Sequence, residues 1–164
     1  MEGPVAIVGY MGSGKSTLGR LLAGATGLEF VDLDRTITKK AGMEIPEIFA
    51  EHGEERFREL EQEALREALE GGSPCIVACG GGVVTRRENR ALLQGVTAVF
   101  LRENVEVLYG RTRGPGRPLR AASREEFESR YAERLPLYRE VADVEVEVDG
   151  RSPSLVVEEV LECL

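Results

Sequence analysis

Gly9-Tyr10-Met11-Gly12-Ser13-Gly14-Lys15-Ser16 constrains this chain more than any other stretch. It fits the pattern G-x4-G-K-[ST], and its surroundings give the pattern a mechanism. Val5-Ala6-Ile7-Val8-Gly9, which runs into it, is short, continuously apolar and β-branched, as expected of a strand buried on both faces of a parallel sheet. Residues 15–24 after it place Leu18, Leu21 and Leu22 on one helical face. The glycines let the backbone turn tightly and aim N–H groups inward as an anion nest. The helix adds its positive N-terminal end. Lys15 then sets a charge against β- and γ-phosphates, and the Ser16 hydroxyl offers a ligand to Mg²⁺. A glycine-rich turn with a chance Lys-Ser is the plain alternative, and it accounts for neither flank. The stretch predicts a nucleoside triphosphate site and is silent on the acceptor.

The rest of the chain alternates strand and helix. Strands are expected at Phe30–Leu33, Cys75–Ala78, Thr97–Leu101 and Val144–Val148, the last alternating like a half-exposed edge. Helices are expected over 34–41, ending at Gly42, over 45–52 with Pro46 in the first turn, over 54–70, and over 104–113. Within 54–70, Phe57, Leu60, Ala64, Leu65, Ala68 and Leu69 recur at helical spacing. Thr85–Glu88 and Ser123–Glu126 read as capping boxes, the second opening a helix to about Val141. Ser152-Pro153 caps a last helix reaching Leu161. The pattern predicts one α/β domain over 1–164: three layers, with a mostly parallel five-stranded sheet flanked by helices and strand two beside strand one. Segments 34–61 and 114–123 fit this scheme least well and are candidates for mobile flaps over a site.

Composition narrows the function classes. The 164 residues amount to one domain. Asp+Glu 29 against Lys+Arg 21 leaves a net charge of -8, which argues against a nucleic-acid partner. No apolar run approaches the ~20 residues of a membrane span, and Met1-Glu2-Gly3-Pro4 lacks the basic start of a secretory signal. Cys75, Cys79 and Cys163 are an odd set, so reduced thiols in a cytoplasmic protein are expected. Cys75-x3-Cys79 has no second Cys pair to complete a zinc site, and His52 is the only histidine. His52, between Glu51 and Gly53, reads as a solvent-facing helix end rather than a catalytic base.

Asp32 and Asp34 stand two apart at the end of strand two, on one face. Ligands of open α/β sheets bind beyond such strand ends. One carboxylate can hold a Mg²⁺-bound water while the other accepts a proton from an attacking hydroxyl. Asp34 can equally cap the next helix. Arg58 and Glu61, beside Phe57, flank the core stripe of their helix; read alone they are a surface pair worth about 0.2–0.5 kcal/mol. Gly80-Gly81-Gly82 follows strand three. A plain turn would account for it, but three glycines in a row lose so much chain entropy that close approach to a ligand is the preferred reading. Arg111, Arg117 and Arg134 bracket the 114–123 loop, where an arginine can neutralise charge on a transferring phosphoryl group. With 18 Arg against 3 Lys, position alone singles out none of them.

Taken together, Gly9…Lys15-Ser16, Asp32-Leu33-Asp34, Gly53-Glu54-x2-Phe57-Arg58-x2-Glu61, Gly80-Gly81-Gly82, Arg117-Pro118-Leu119 and Arg134-x-Pro136-Leu137-Tyr138-x3-Ala142 resemble the shikimate kinase family. The resemblance runs in order over about 9–155. It implies a P-loop kinase fold with a substrate-binding excursion near 33–61 and a lid near 112–124. It implies transfer of the ATP γ-phosphoryl group to the 3-hydroxyl of shikimate. By the family pattern Asp34, Arg58, Gly80, Gly81 and Arg134 hold shikimate, with Asp34 taking the reacting hydroxyl and the two arginines pairing with the carboxylate. Ile45, Phe49 and Phe57 would form the apolar wall under the ring, and Glu61 would orient Arg58. Gly12, Ser13, Gly14, Lys15, Ser16 and Thr17 would hold the ATP phosphates, with Lys15, Asp34 and lid Arg117 catalytic. Arg111 and the loop before Pro153 would flank adenine. Ser16, and Asp32 through water, would hold Mg²⁺. The implied protein is a cytoplasmic monomer using ATP and shikimate, with no membrane or nucleic-acid partner. Glu44 departs from the family pattern, where a small hydroxyl residue is common, and the lid is short.

A gluconate kinase on the same core would keep the phosphate loop but need no carboxylate clamp at Arg58 and Arg134. A guanine-nucleotide switch would need an Asn-Lys-x-Asp reader, and none is present. A catalytically dead regulatory module should lack the base or the lid arginine, yet Asp34 and Arg117 are both present.

Overall fold

Five short strands, β1 (Val5–Val8), β2 (Glu29–Asp32), β3 (Cys75–Ala78), β4 (Thr97–Arg102) and β5 (Val144–Glu147), form one sheet in the order β2-β3-β1-β4-β5. Every pairing is parallel. The fold comes from a computed structural model, and the structure describes residues 1–112 and 123–164. The connections are α1 (Lys15–Thr26), α2 (Leu33–Ala41), α3 (Ile45–Glu70), α4 (Arg87–Gln94), α5 (Val105–Arg111), α6 (Arg124–Val141) and α7 (Pro153–Cys163), with one 3₁₀ turn at Val83–Thr85.

Alternation along the strands builds three layers. Val5 and Ile7 of β1 face one side, where Leu18 and Leu22 of α1 and Val156 and Val160 of α7 cover them. Ala6 and Val8 face the other, under Leu60, Ala64 and Leu65 of α3, Leu93 of α4 and Tyr138 of α6. Among the described residues, no helix is long and apolar enough to cross a membrane.

The strand order corrects one expectation. β2 does not lie beside β1; β3 stands between them. Burial explains the exchange. All four residues of β3 are buried, whereas no residue of β2 is. A strand apolar on both faces belongs inside a parallel sheet, and a half-exposed one at its edge. The register still aligns the strand ends: Asp32 pairs with Ala78, and Ala78 with Ile7. The end of β2, the glycines after β3 and the loop after β1 therefore share one edge.

Two capping assignments also change. Thr85 does not open α4; its hydroxyl donates to Gly82 O at 2.7 Å inside the 3₁₀ turn, and Arg86 takes the cap position. Asp32, not Asp34, caps α2, its Oδ1 accepting from the Asp34 amide at 3.1 Å. The strand accordingly stops at Asp32, and buried Leu33 already belongs to the helix. Ser123 and Ser152 do cap α6 and α7 as expected.

α3 contains the break the sequence implies. Gly53 sits at φ 81, ψ 172, so the 45–52 and 54–70 helices meet at an angle. Phe49 and Phe57 show the bend directly. Eight residues would separate them by about 12 Å along a straight helix, yet their ring centroids lie 4.9 Å apart. A Cβ on Gly53 would touch nothing within 4 Å, so the glycine is needed for its dihedral alone. Gly53→Ala is expected to cost about 1–3 kcal/mol, read from the urea midpoint of unfolding.

Candidate active site

The loop 9–14 joins buried β1 to α1 as the motif requires. The Lys15 ammonium donates to Tyr10 O at 2.9 Å and to Ser13 Oγ at 3.4 Å, so it arcs back over the loop it serves. Ser16 Oγ donates to Asp32 Oδ2 at 3.3 Å. Asp32 is thus held at both oxygens, by the Ser16 hydroxyl and by the Asp34 amide. A hydroxyl and a carboxylate at this spacing are the hard oxygen donors that Mg²⁺ prefers.

Lys15, Ser16, Asp32, Asp34, Gly80 and Gly81 line one cavity of about 350 Å³, together with Thr17 and Arg111. A second, of about 310 Å³, runs from Gly12, Ser13, Gly14 and Thr17 to Arg111, Arg151 and Pro153. Arg111 borders both; it donates to Gly12 O at 3.1 Å and lies 3.7 Å from Glu103 Oε2. Arg151, in the loop before Pro153, lines the second cavity with it.

The acceptor side corrects the surface reading of Arg58 and Glu61. Arg58 Nη1 donates to Glu61 Oε1 at 2.7 Å, and both side chains are almost wholly buried, 6% and 1% exposed. Burial pushes Glu61 above the ordinary carboxylate range, and Arg58 pulls against it. Glu54, part of the same motif but given no role from the sequence, adds a second carboxylate 3.6 Å from Arg58 Nη2. The glycines after β3 make room for this pair. A Cβ on Gly82 would collide with the Arg58 guanidinium, and one on Gly80 would lie 2.8 Å from Glu61 Oε2 and 3.6 Å from Asp34 Oδ1. Close approach is thus required within the protein itself.

Arg134 on α6 is buried, and its guanidinium lies 5.7 Å from the Tyr10 ring centroid. Burial, joined by the like charge of Arg58, pulls it below the ordinary arginine value against the opposing effect of Tyr138. Arg58 Nη2 and Arg134 Nη1 are both buried without a hydrogen-bond acceptor among the described residues. Phe57 is buried, Phe49 and Ile45 half-buried beside it. Asp34 is exposed at the start of α2. Arg117, Pro118 and Leu119 lie outside the described residues.

The remaining expectations divide simply. Cys75, Cys79 and Cys163 are free thiols. Cys79 lines the phosphate cavity but is wholly buried, and burial drives its thiol far up, so it stays protonated and inert. His52 is exposed on α3. Among the described residues no group of three His, Cys, Asp or Glu side chains is placed to hold a metal.

The family model described as shikimate kinase matches residues 11–164. A shikimate kinase of Pseudomonas syringae pv. tomato is 47% identical over 159 residues, covering 94% of this chain and 92% of that one. The structure of shikimate kinase from Acinetobacter baumannii in complex with shikimate superposes with a TM-score of 0.91 at 35% identity, covering 98% of this chain and 92% of the other. A gluconokinase from Sinorhizobium meliloti gives a TM-score of 0.62 at 21% identity, over 98% of this chain and 90% of that one, and shares the fold alone.

Proposed function

The chain belongs to the shikimate kinase family, and from that premise we propose that it transfers the γ-phosphoryl group of ATP to the 3-hydroxyl of shikimate. The bond between Pγ and the β-phosphate bridging oxygen breaks, and a bond between Pγ and the shikimate oxygen forms. ADP leaves, and the hydroxyl proton passes to Asp34. The observation that carries this reading is the pair of buried guanidiniums, Arg58 and Arg134, each with a buried nitrogen that makes no hydrogen bond among the described residues, beside the Gly80-Gly81 wall of the cavity that holds Lys15 and Asp34. Two fixed guanidinium forks suit one planar carboxylate. Its arrival would neutralise two like charges held close in a poorly solvated place.

Each residue then has a task. Loop residues 12–17 cradle the phosphates, with Lys15 on the transferring group. Arg111 and Pro153 border the second cavity, where adenine would lie. Ser16, and Asp32 through water, would hold Mg²⁺, which supplies charge neutralisation at the phosphates. Ile45, Phe49 and Phe57 wall the ring of shikimate, and Glu61 orients Arg58. The excursion 33–61 and the 112–124 segment serve as substrate-binding and lid regions, Arg117 stabilising charge on the phosphoryl group in flight. The free thiols and the net charge of -8 support a cytoplasmic enzyme without a nucleic-acid partner, which we read as a monomer. Catalysis is mainly positioning and charge stabilisation.

A coupled ADP-release assay with Mg-ATP, offering shikimate, gluconate or no acceptor, tests the reaction. Release should depend on shikimate; release with gluconate alone, or none above the acceptor-free rate, would refute the reading. Arg134→Ala tests the clamp more cleanly than a change at Arg58, because it strands no carboxylate. The KM for shikimate should rise about 10–100-fold, the worth of a charged hydrogen bond, with the KM for ATP within twofold of its original value.

A further inference from the structure

Tyr138 belongs to the Arg134-x-Pro136-Leu137-Tyr138 motif, yet the reaction above gives it no task. It is wholly buried, with its ring stacked on Phe100 at 5.0 Å between centroids and 20° between planes. Packing alone would be served by phenylalanine. The hydroxyl, however, donates to Gly81 O, and the positive charge of Arg134, one helical turn earlier, acts on it. Burial drives the phenol far above its ordinary value, so the donated proton stays in place.

The carbonyl it takes completes a set. Gly80 O accepts from the Val83 amide at 3.2 Å, and Gly82 O accepts from the Thr85 amide at 3.1 Å and the Thr85 hydroxyl at 2.7 Å. Gly81 O, between them, is taken by Tyr138. All three carbonyls of the glycine run are therefore engaged within the protein. A glycine run has wide conformational freedom, and only such ties give it one shape. The same run packs against the phosphate loop, since a Cβ on Gly81 would lie 3.1 Å from the Met11 amide nitrogen.

We propose that the Tyr138 hydroxyl is a positioning group for shikimate: its bond to Gly81 O fixes the Gly81 peptide against the helix that carries Arg134, so that two separate parts of the chain present one carboxylate-binding surface. The inference rests on the reading that Gly81 and Arg134 hold shikimate. Tyr138 touches neither reacting atom, and its effect is exerted through those two groups.

Tyr138→Phe keeps the ring and removes the hydroxyl. Its shikimate Kd by calorimetry and its shikimate KM should both rise about three- to tenfold, the worth of one net hydrogen bond, while the ATP KM stays within twofold. Phe100→Leu loosens the same ring without touching the hydroxyl. It should lower the Tm at least as much and leave shikimate affinity unchanged. A Tyr138→Phe protein that binds shikimate as the unmodified chain does would overturn the proposal, as would an equal loss of affinity in Phe100→Leu, which would make packing the cause. An unmodified chain that failed to turn over shikimate would instead sink the functional reading itself.

Discussion

Asp34→Asn is expected to lower turnover about 10²–10⁴-fold, the usual range for removing a general base, while ATP binding measured by calorimetry is unchanged. Asparagine has nearly the same shape, so the cavity keeps its outline. Asp34 is exposed and not the helix cap, so Asp32 keeps both its capping bond and its contact with Ser16. The substitution removes one negative charge from the first turn of α2, worth about 0.3–1 kcal/mol, so the Tm should move only slightly. The loss should fall on kcat rather than on either KM, because the proton moves only as the phosphoryl group does. Turnover within tenfold of the original would remove Asp34 from the role of base.

Glu61→Ala is expected to destabilise the fold by about 3–5 kcal/mol, because it leaves the Arg58 guanidinium buried without its closest partner. Glu54 cannot replace it: it is mostly exposed and lies 3.6 Å away against 2.7 Å for Glu61. Chemical denaturation would show a lower midpoint with an unchanged slope. The double variant Arg58→Met with Glu61→Leu makes the contrast. Replacing a buried ion pair by apolar groups of similar volume is often neutral or stabilising, so this protein should regain most of the lost stability and still fail to bind shikimate. That outcome would separate what the pair does for the substrate from what it does for the fold. A Glu61→Ala protein as stable as the original would show that water reaches Arg58.

The parts legible in the sequence were those with local causes. The phosphate loop, the break at Gly53 and the caps at Ser123 and Ser152 each arise from a few neighbouring residues, and all were readable as such. The parts misread depended on distant partners. Arg58 and Glu61 flank an apolar stripe, so a helix considered alone puts them at the surface; the glycine run after β3 is what covers them. Thr85 has the spacing of a capping box, but Gly82 O competes for its hydroxyl and wins. The expected neighbours, strands one and two, are separated because the full burial of β3 decides the order. Arg151 and Tyr138 carry no signal in isolation, since Arg is everywhere in this chain and a buried tyrosine looks like core.

The place of β3 between β1 and β2 has a consequence for the chain as it is made. A nascent protein of 74 residues holds two strands that have no ladder to share, with a gap one strand wide between them. Neither the contact of Ser16 with Asp32 nor the cavity around Lys15 has a scaffold at that stage. Residues 75–78 must arrive and insert before β2 has any partner at all. Closing such a non-local contact is the slow kind of folding event. A ribosome stalled before residue 75 should therefore carry a chain that does not retain ATP, and nucleotide retention should appear only after β3, and then β4, have left the exit tunnel.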